Sequence, residues 1–313
     1  MQLFSTPDNR MPEGAVCVPV KTRDGLTLRA MRVRVAKPKG TVVVLGGRGD
    51  YIERYFETAR DLMQRGYCVA SLDVRGQGGS PRLTRSRYRG HLRSFAEHDE
   101  DLRAFMTEVV LPDCPPPYYA IGHSTGGHIL LRGLRERTWF NKAILAAPLI
   151  GIIYGRWPLP LVRLLVFLTT RLGLGWMFLP GQVRRPLASG DFAGNPLTSD
   201  RKRWDRDSAI LQVGPELGLG GPTFSWLRAA MASTAEIRAM GPGNKLRTPV
   251  MIVAAGLDQV VDNEATREFA RRVPGVSLVF IREAMHEVLT EGDGIRVQFL
   301  AAFDAFIEGK GAP

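Results

Sequence analysis

Residues 118–128 read YYAIGHSTGGH, and their centre fits the pattern Gly-x-Ser-x-Gly through Gly122, His123, Ser124, Thr125 and Gly126. The apolar run at 118–124 predicts a buried strand, and residues 126–136 predict a helix directly after it. A chain that turns this sharply holds its serine in a strained backbone conformation and needs small neighbours. The pattern therefore indicates a nucleophilic serine, Ser124, raised above the end of a sheet strand.

On both sides of this turn, short β-branched runs alternate with longer helical patterns. We predict strands at 16–20, 26–36, 41–47, 67–73, 118–124, 142–148, 249–256 and 277–281. We predict helices at 52–65, 94–111, 126–136, 263–272 and 293–309. A hairpin around Asp24-Gly25 joins the first two strands. The alternation predicts the α/β class, with a mostly parallel central sheet and helices on both faces.

The alternation of strands and helices stops after Pro148 and resumes at residue 249. Between these points proline, glycine, tryptophan and arginine are frequent, and no short strand is evident. We therefore predict the first part of an α/β core at 1–149, an inserted and mainly helical cap at 150–248, and the second part of the core at 249–313.

The composition is that of an ordinary globular domain, but the charge is strongly basic. The 313 residues carry a formal net charge of +11. Such a charge balance favours contact with anionic surfaces. The arginines are scattered and form no nucleic-acid motif, so no nucleic-acid partner is expected. Residues 150–248 hold 13 Lys and Arg against 6 Asp and Glu, a difference of +7. This excess makes peripheral contact with an anionic membrane an open alternative.

The cysteines and the first residues of the chain indicate its cellular compartment and whether it needs a cofactor. The chain has three cysteines, Cys17, Cys68 and Cys114, without metal-ligand spacing. We expect reduced thiols, no metal and no cofactor. Residues 1–14 lack the basic start and apolar core of a secretory signal. A cytoplasmic protein is expected, with peripheral attachment at the inner membrane left open.

A serine hydroxyl needs a general base, and the base needs an orienting carboxylate. Proteins that use this turn carry the serine, the acid and the histidine in that chain order. Of the five histidines, only His286 follows both Ser124 and a later predicted strand. Asp258 lies just past the end of the strand predicted at 249–256. Asp262 is the alternative, although it is better placed to cap the next helix. We expect His123 to pack or hydrogen-bond within the turn.

The segment LGGRGD at 45–50 follows the third predicted strand and is rich in glycine. Gly46 and Gly47 let the backbone approach a substrate carbonyl, so the backbone amide of Arg48 is one candidate oxyanion donor. The amide of Thr125, at the start of a helix, is the other. For the Arg48 side chain we expect an exposed salt bridge, and contact with a phosphate or carboxylate is the alternative.

Longer segments of the chain carry a family resemblance. They are GGRGDYIERYFE at 46–57, SLDVRGQGGS at 71–80, AIGHSTGGHI at 120–129, AAPLIGI at 146–152, NPLTSDRKRW at 195–204, AAGLDQVVDN at 254–263 and AMHEVLTE at 284–291. The sequence resembles the bacterial lysophospholipase and monoacylglycerol-lipase branch of the α/β hydrolases, which is grouped with the serine aminopeptidases.

This resemblance implies an α/β-hydrolase fold in which Ser124, Asp258 and His286 form a catalytic triad. It also implies that the amides of Arg48 and Thr125 bind the oxyanion. Relatives often carry His-Gly in the first oxyanion loop, where this chain has Gly46-Gly47.

The implied activity is hydrolysis of acyl-lipid esters, of lysophospholipase or monoacylglycerol-lipase type, through an acyl-enzyme. General carboxylesterase, aminopeptidase and acyltransferase activities remain alternatives, as does a catalytically silent binding protein, because fold does not settle chemistry. An aminopeptidase needs an acidic group in the cap to hold the substrate amine, and the candidates are Glu216 and Glu236.

The segment at 156–181 is strongly apolar and allows three interpretations. A transmembrane helix is possible by length, but Pro158, Pro160 and the two arginines Arg163 and Arg171 count against it. A cap helix that shapes an acyl pocket is the simplest interpretation. A cap surface that also enters a membrane interface is the third.

Overall fold

An eight-stranded sheet forms the centre of the computed structural model, which describes residues 1–155, 157–182, 185–186 and 190–309. The strands follow the order β1-β2-β4-β3-β5-β6-β7-β8. They span Val16–Lys21 (β1), Thr27–Val33 (β2), Thr41–Leu45 (β3), Cys68–Asp73 (β4), Tyr118–His123 (β5), Lys142–Ala146 (β6), Val250–Ala255 (β7) and Val276–Ile281 (β8). β2 runs antiparallel to both neighbours, and the other pairs are parallel. The predicted α/β class is confirmed.

Helices cover the sheet between these strands. They span Phe56–Gln64 (α1), Ala96–Phe105 (α2), Leu111–Asp113 (α3), Thr125–Glu136 (α4), Leu159–Arg171 (α5), Arg201–Val213 (α6), Phe224–Arg238 (α7), Asn263–Arg272 (α8) and Asp293–Glu308 (α9). Every residue of β3, β4 and β7 is buried, as expected of parallel strands covered on both faces. The edge strands β1 and β8 keep partly exposed residues. The site described below therefore rests on a rigid apolar layer.

The predicted helix at 94–111 is correct in position but not in regularity. After α2 the chain forms a π turn at Met106–Val110 and then α3, which ends two residues later than predicted. Pro112 lies in α3 and has no amide hydrogen to donate to the preceding turn. The regular hydrogen-bond ladder is therefore interrupted here, and the π turn takes up the irregularity.

The segment between β6 and β7 contains the helices α5, α6 and α7. Val166 of α5 packs against Phe224 and Leu227 of α7 in a small apolar cluster separate from the main core. In the described part of the chain, no helix is long and apolar enough to cross a membrane. The described part of the apolar segment at 156–181 contains α5, which has only 13 residues.

Ion pairs around Glu57 help to join this segment to the rest of the protein. Glu57 of α1 accepts hydrogen bonds from Arg203 Nε at 2.9 Å and Arg203 Nη2 at 2.6 Å, and Arg206 also donates to it. Both arginines belong to α6. Burial tends to raise the pKa of Glu57, but the bonds from Arg203 and Arg206 and the charge of Arg296 lower it to about 2. The carboxylate therefore ties α6 to α1 at neutral pH.

Candidate active site

Ser124 lies at the sharp turn between β5 and α4. Its backbone has φ 50° and ψ −114°, a conformation that L-residues rarely adopt. The turn also brings Gly126 against β3, where a Cβ atom at this position would lie 2.2 Å from the carbonyl oxygen of Leu45. Only glycine fits there, which explains the second glycine of the sequence pattern. Gly122, near the end of β5, packs closely against Gly127, where a Cβ atom on residue 122 would lie 2.7 Å from Gly127 Cα.

A hydrogen-bonded chain of three side chains starts at this serine. Ser124 Oγ lies 3.0 Å from His286 Nε2, and His286 Nδ1 lies 2.8 Å from Asp258 Oδ2. Asp258 Oδ1 accepts the amides of Val260 at 2.7 Å and Val261 at 3.0 Å. The structure thus brings together three residues that are far apart in the sequence.

The environment of Asp258 favours its ionised form. Burial tends to raise the pKa of this carboxyl, but the hydrogen bond and charge of His286 and the amides of Val261 and Val260 lower the pKa below its ordinary value. An ionised Asp258 accepts a hydrogen bond from the N–H at His286 Nδ1, so the proton stays on this nitrogen. The other ring nitrogen, Nε2, is then free to accept the proton of the Ser124 hydroxyl.

The alternative acid, Asp262, lies elsewhere. Its carboxylate accepts the amides of Glu264 at 2.9 Å and Ala265 at 3.2 Å and so caps the start of α8. Asp258, not Asp262, contacts His286.

The loop after β3 lies beside the serine. At Gly47 a Cβ atom would lie 3.1 Å from Ser124 Cβ and 2.9 Å from His123 Nδ1, so the close approach requires glycine. The Gly47 amide donates to Asp50 Oδ2 at 2.5 Å. Within the described residues, the amides of Arg48 and Thr125 donate no hydrogen bond. They remain candidates for binding an oxyanion.

Gly46, the neighbouring glycine, packs against the ring of Tyr55, where a Cβ atom would lie 2.8 Å from Tyr55 Cε2. Gly46 and Gly47 can therefore carry no side chain in this arrangement.

Asp50 is a buried residue of the site that the sequence did not single out. Its Oδ2 accepts the Tyr55 hydroxyl at 2.6 Å and lies 3.2 Å from His123 Nδ1, in addition to the Gly47 amide. His123 Nε2 in turn lies 3.2 Å from the carbonyl oxygen of His286. One carboxylate thus connects the loop after β3 to the serine turn and, through His123, to the histidine loop.

Arg54 supplies the counter-charge for this carboxylate. It donates to Asp50 and Glu287, and its Nε donates to Asp207 Oδ2 at 2.8 Å. Burial tends to raise the pKa of Asp50, but Arg54 and His123 lower it. Burial tends to lower the pKa of His123, but the Asp50 carboxylate raises it. Arg54 and Asp50 therefore form a buried ion pair beneath the serine turn.

A cavity of about 520 Å³ opens over Ser124. Most of its walls are apolar and come from the segment between β6 and β7, including Ile152, Trp157, Leu161, Leu165, Phe224 and Leu227. The carboxylates among its described lining residues are Asp50 and Glu287, and both contact Arg54. The cavity can therefore hold an apolar chain next to the serine hydroxyl.

Arg48 also lines this cavity, and the exposed salt bridge expected for its side chain is wrong. Its Nη1 donates to the carbonyl oxygen of Gly220 at 2.8 Å, and its guanidinium lies 5.6 Å from the centre of the Trp226 ring. The loop at 218–222 lies against the arginine and leaves it half-buried, a contact that the local sequence around Arg48 did not reveal.

No metal site is present among the residues the structure describes, since they contain no group of three or more His, Cys, Asp and Glu suited to one. The arrangement can nevertheless perform nucleophilic chemistry with protein groups alone. A hydroxyl, a general base, an orienting carboxylate and two unused amides suffice for acyl transfer.

The strand order and the strained serine between β5 and α4 define an α/β hydrolase. The chain belongs to the serine aminopeptidase S33 family (Hydrolase_4), whose model matches residues 36–293. The resemblance stated from the sequence is therefore confirmed at the level of the family.

Named relatives extend this comparison. Lysophospholipase L2 of Escherichia coli K12 is 30% identical over 305 residues, covering 93% of this chain and 86% of the relative. The probable lysophospholipase L2 of Haemophilus influenzae is 28% identical over 267 residues, with 85% and 83% covered. A soluble variant of monoglyceride lipase from Saccharomyces cerevisiae, solved with a substrate analog, superposes with a TM-score of 0.71 at 19% identity, over 95% of this chain and 97% of that one. This last likeness shows the shared fold.

Proposed function

We propose that this protein is a serine hydrolase that cleaves carboxylic esters of acyl lipids, with Ser124 as nucleophile, His286 as general base and Asp258 as the orienting acid. The observation that carries the proposal is the hydrogen-bonded chain from Ser124 through His286 to Asp258 at the floor of an apolar cavity. The named relatives are lysophospholipases and a monoglyceride lipase, which are carboxylic-ester hydrolases.

The first step is acylation of the serine. His286 Nε2 takes the proton of the Ser124 hydroxyl while Oγ attacks the ester carbonyl. The negative charge that develops on the carbonyl oxygen is bound by the amides of Arg48 and Thr125. Collapse of the tetrahedral intermediate breaks the bond to the alcohol oxygen, which receives the proton from His286 and leaves.

The second step is hydrolysis of the acyl-enzyme. His286 takes a proton from water, and the hydroxide formed attacks the acyl carbonyl of Ser124. The fatty acid leaves, and the proton returns to the Ser124 oxygen. Throughout both steps the ionised Asp258 holds the ring of His286 in place and stabilises its protonated form.

The size and polarity of the cavity support an acyl chain as the substrate group. Its apolar walls would bury the methylene groups of such a chain, and each buried methylene contributes about 0.8 kcal/mol. A general carboxylesterase would use the same residues and prefer short esters. An acyltransferase would use them and deliver the acyl group to an acceptor other than water.

Aminopeptidase activity finds less support in the described residues. Glu236 pairs with Arg132 of α4 at 2.8 Å and does not line the cavity. Glu216 does not line the cavity either. The two acids that do, Asp50 and Glu287, are neutralised by Arg54. Among the described residues that line the cavity, a substrate amine would therefore meet no free carboxylate.

The proposed division into a core and a cap is supported by the origin of the cavity walls. Residues 150–248 would act as a cap because α5 and α7 supply much of the cavity wall above Ser124. The α/β core at 1–149 and 249–313 would hold the reacting groups.

Peripheral contact with an anionic membrane is a further part of the proposal. The outward side of α5 exposes the large apolar side chains of Leu164 (54% exposed), Phe167 (59%) and Leu168 (47%), and Leu172, directly after the helix, is 72% exposed. The inward side of the same helix lines the cavity. A lipid could then pass from the interface to the site along one helix.

The test compares fatty-acid release from 1-palmitoyl lysophosphatidylcholine, 1-palmitoylglycerol and a short soluble ester by wild type and Ser124→Ala. We expect the long-chain esters to be preferred and Ser124→Ala to lose activity on all three. Preference for the short ester alone would favour the general carboxylesterase. Full activity of Ser124→Ala would refute the proposed nucleophile.

A further inference from the structure

Two arginines line the cavity above Ser124 among the described residues, and their surroundings differ sharply. Arg54 is paired with three carboxylates, those of Asp50, Asp207 and Glu287. Arg48 has no ion pair with any residue in the described part of the chain, although it lies in the same cavity. Its charge is therefore available to a bound molecule.

The contacts of Arg48 leave most of its hydrogen-bonding capacity unused. A guanidinium has five N–H donors. The one side-chain hydrogen bond it makes to a described residue runs from Nη1 to the carbonyl oxygen of Gly220. On one side it lies against the Trp226 ring. On the other it lies so close to Gly90 that a Cβ atom there would be 2.5 Å from Nη1. These contacts fix the direction of the side chain.

The charge of Arg48 is costly where it stands. Burial lowers the pKa of Arg48 to about 10, while the Asp50 charge acts in the opposite direction. The group still carries its proton at neutral pH. A partly buried cation without a counter-ion is destabilising, and an anion held by several N–H donors removes that cost.

The position of Arg48 relates this charge to the ester. Its own backbone amide is the proposed oxyanion donor, so the guanidinium lies one side-chain length from the reacting carbonyl. In a lysophospholipid, the phosphate is likewise linked to the acyl ester through the short glycerol unit. In a monoacylglycerol, a neutral hydroxyl takes the place of the phosphate.

We propose that the Arg48 guanidinium binds the phosphate of a lysophospholipid headgroup and thereby makes the enzyme prefer lysophospholipids to monoacylglycerols. This inference rests on the proposed ester hydrolysis and adds the headgroup class to it. A planar guanidinium suits a phosphate because it can offer two parallel N–H donors to two oxygens.

The experiment measures kcat/KM for 1-palmitoyl lysophosphatidylglycerol and 1-palmitoylglycerol in wild type, Arg48→Gln and Arg48→Lys. The ratio of the two values is the readout, because a general loss of activity cancels in it. We expect wild type to prefer the lysophospholipid. Arg48→Gln should lower the ratio about 10- to 100-fold, as the loss of charged hydrogen bonds implies, and Arg48→Lys should retain part of it.

The matched control is Arg228→Gln, which removes an exposed arginine of α7 that does not line the cavity. It should leave the ratio at the wild-type value. An unchanged ratio in Arg48→Gln, with both rates reduced equally, would assign Arg48 to holding the loop of Gly220 and overturn the inference. If palmitate inhibits Arg48→Gln less than wild type while the ratio is unchanged, Arg48 binds the product carboxylate instead. That result would also overturn the inference.

Failure of the underlying function looks different. If wild type hydrolyses neither ester, or if Ser124→Ala hydrolyses both, the proposed ester hydrolysis fails together with the inference. If both esters are hydrolysed by wild type through Ser124, only the ratio decides the role of Arg48.

Discussion

Asp50 Oδ2 lies 3.2 Å from His123 Nδ1 directly beneath the serine turn, and both side chains are only 5% exposed. The same oxygen accepts the amide of Gly47. The pair therefore couples two parts of the site that the mechanism requires to stay in register. These are the loop that carries the Arg48 amide and the turn that carries Ser124.

We expect Asp50→Asn to lower kcat about 10- to 100-fold and to leave KM within about threefold, because a displaced oxyanion loop weakens transition-state binding more than substrate binding. Steady-state kinetics on a long-chain ester measure this split. Asp205→Asn, at an exposed aspartate of α6, is the control and should behave as wild type. A rise in KM with kcat unchanged would show that Asp50 does not position the loop.

The two neighbouring aspartates Asp258 and Asp262 give a matched comparison. Asp258→Asn should lower kcat by about 10³- to 10⁴-fold, because an amide cannot hold His286 in the required tautomer. Asp262→Asn should keep its activity and change the free energy of unfolding by less than about 1 kcal/mol, since asparagine also caps helices. Equal activities of the two variants would contradict the role given to Asp258.

Glu57 makes the attachment of α6 dependent on pH. Its folded-state pKa of about 2 lies below the ordinary value, so its stabilising effect is complete above pH 4.5 and is lost as the pH falls toward 2. We expect Glu57→Gln to lower the free energy of unfolding by about 1–3 kcal/mol at pH 7, after allowance for partial exposure. Urea unfolding at pH 7 and pH 3 should show the difference from wild type shrinking at the lower pH.

His128 makes the free energy of unfolding depend on pH over a higher range than Glu57 does. Its Nδ1 donates to the Leu149 carbonyl oxygen at 2.7 Å and its Nε2 lies 2.6 Å from Ser233 Oγ. Burial lowers the pKa of His128 to about 3. Between pH 6.5 and pH 3 the unfolded state therefore binds up to one more proton than the folded state. The free energy of unfolding decreases as the pH falls through this range, by up to about 1.4 kcal/mol per pH unit.

The measurement for His128 is the slope of unfolding free energy against pH in that window. His128→Gln should be less stable at pH 7, because a buried hydrogen-bonding pair is disturbed, and its slope should be shallower than that of wild type. A parallel slope in the two proteins would mean that other groups bind the proton.

The exposed side of α5 predicts binding to vesicles. Phe167→Ser with Leu164→Ser should weaken sedimentation with anionic phosphatidylglycerol vesicles about tenfold, because two large apolar side chains no longer enter the interface. Hydrolysis of a short soluble ester is measured in parallel to check that the site is intact. Val297→Ser, at an exposed apolar residue of α9, is the control. Unchanged sedimentation would rule out this side of α5 as the contact.

The sequence predicted the positions of the strands because buried strands, glycine turns and capped helices are local features. The order Ser124, Asp258, His286 followed from the same local signals combined with the chain order of such sites. The long-range contacts were out of reach. Arg54 meets Asp207 and Glu287 from two distant segments, and Arg48 is covered by the loop of Gly220, 172 residues further along.

Covalent labelling with a fluorophosphonate, in which an activated serine oxygen displaces fluoride from phosphorus, tests directly whether Ser124 is the nucleophile. Intact-mass analysis should show one label per chain, and peptide mapping should place it on Ser124. His286→Ala should be labelled far more slowly, and Ser124→Ala should remain unlabelled. Labelling of Ser124→Ala at the wild-type rate, or a label on another residue of wild type, would show that Ser124 is not the nucleophile.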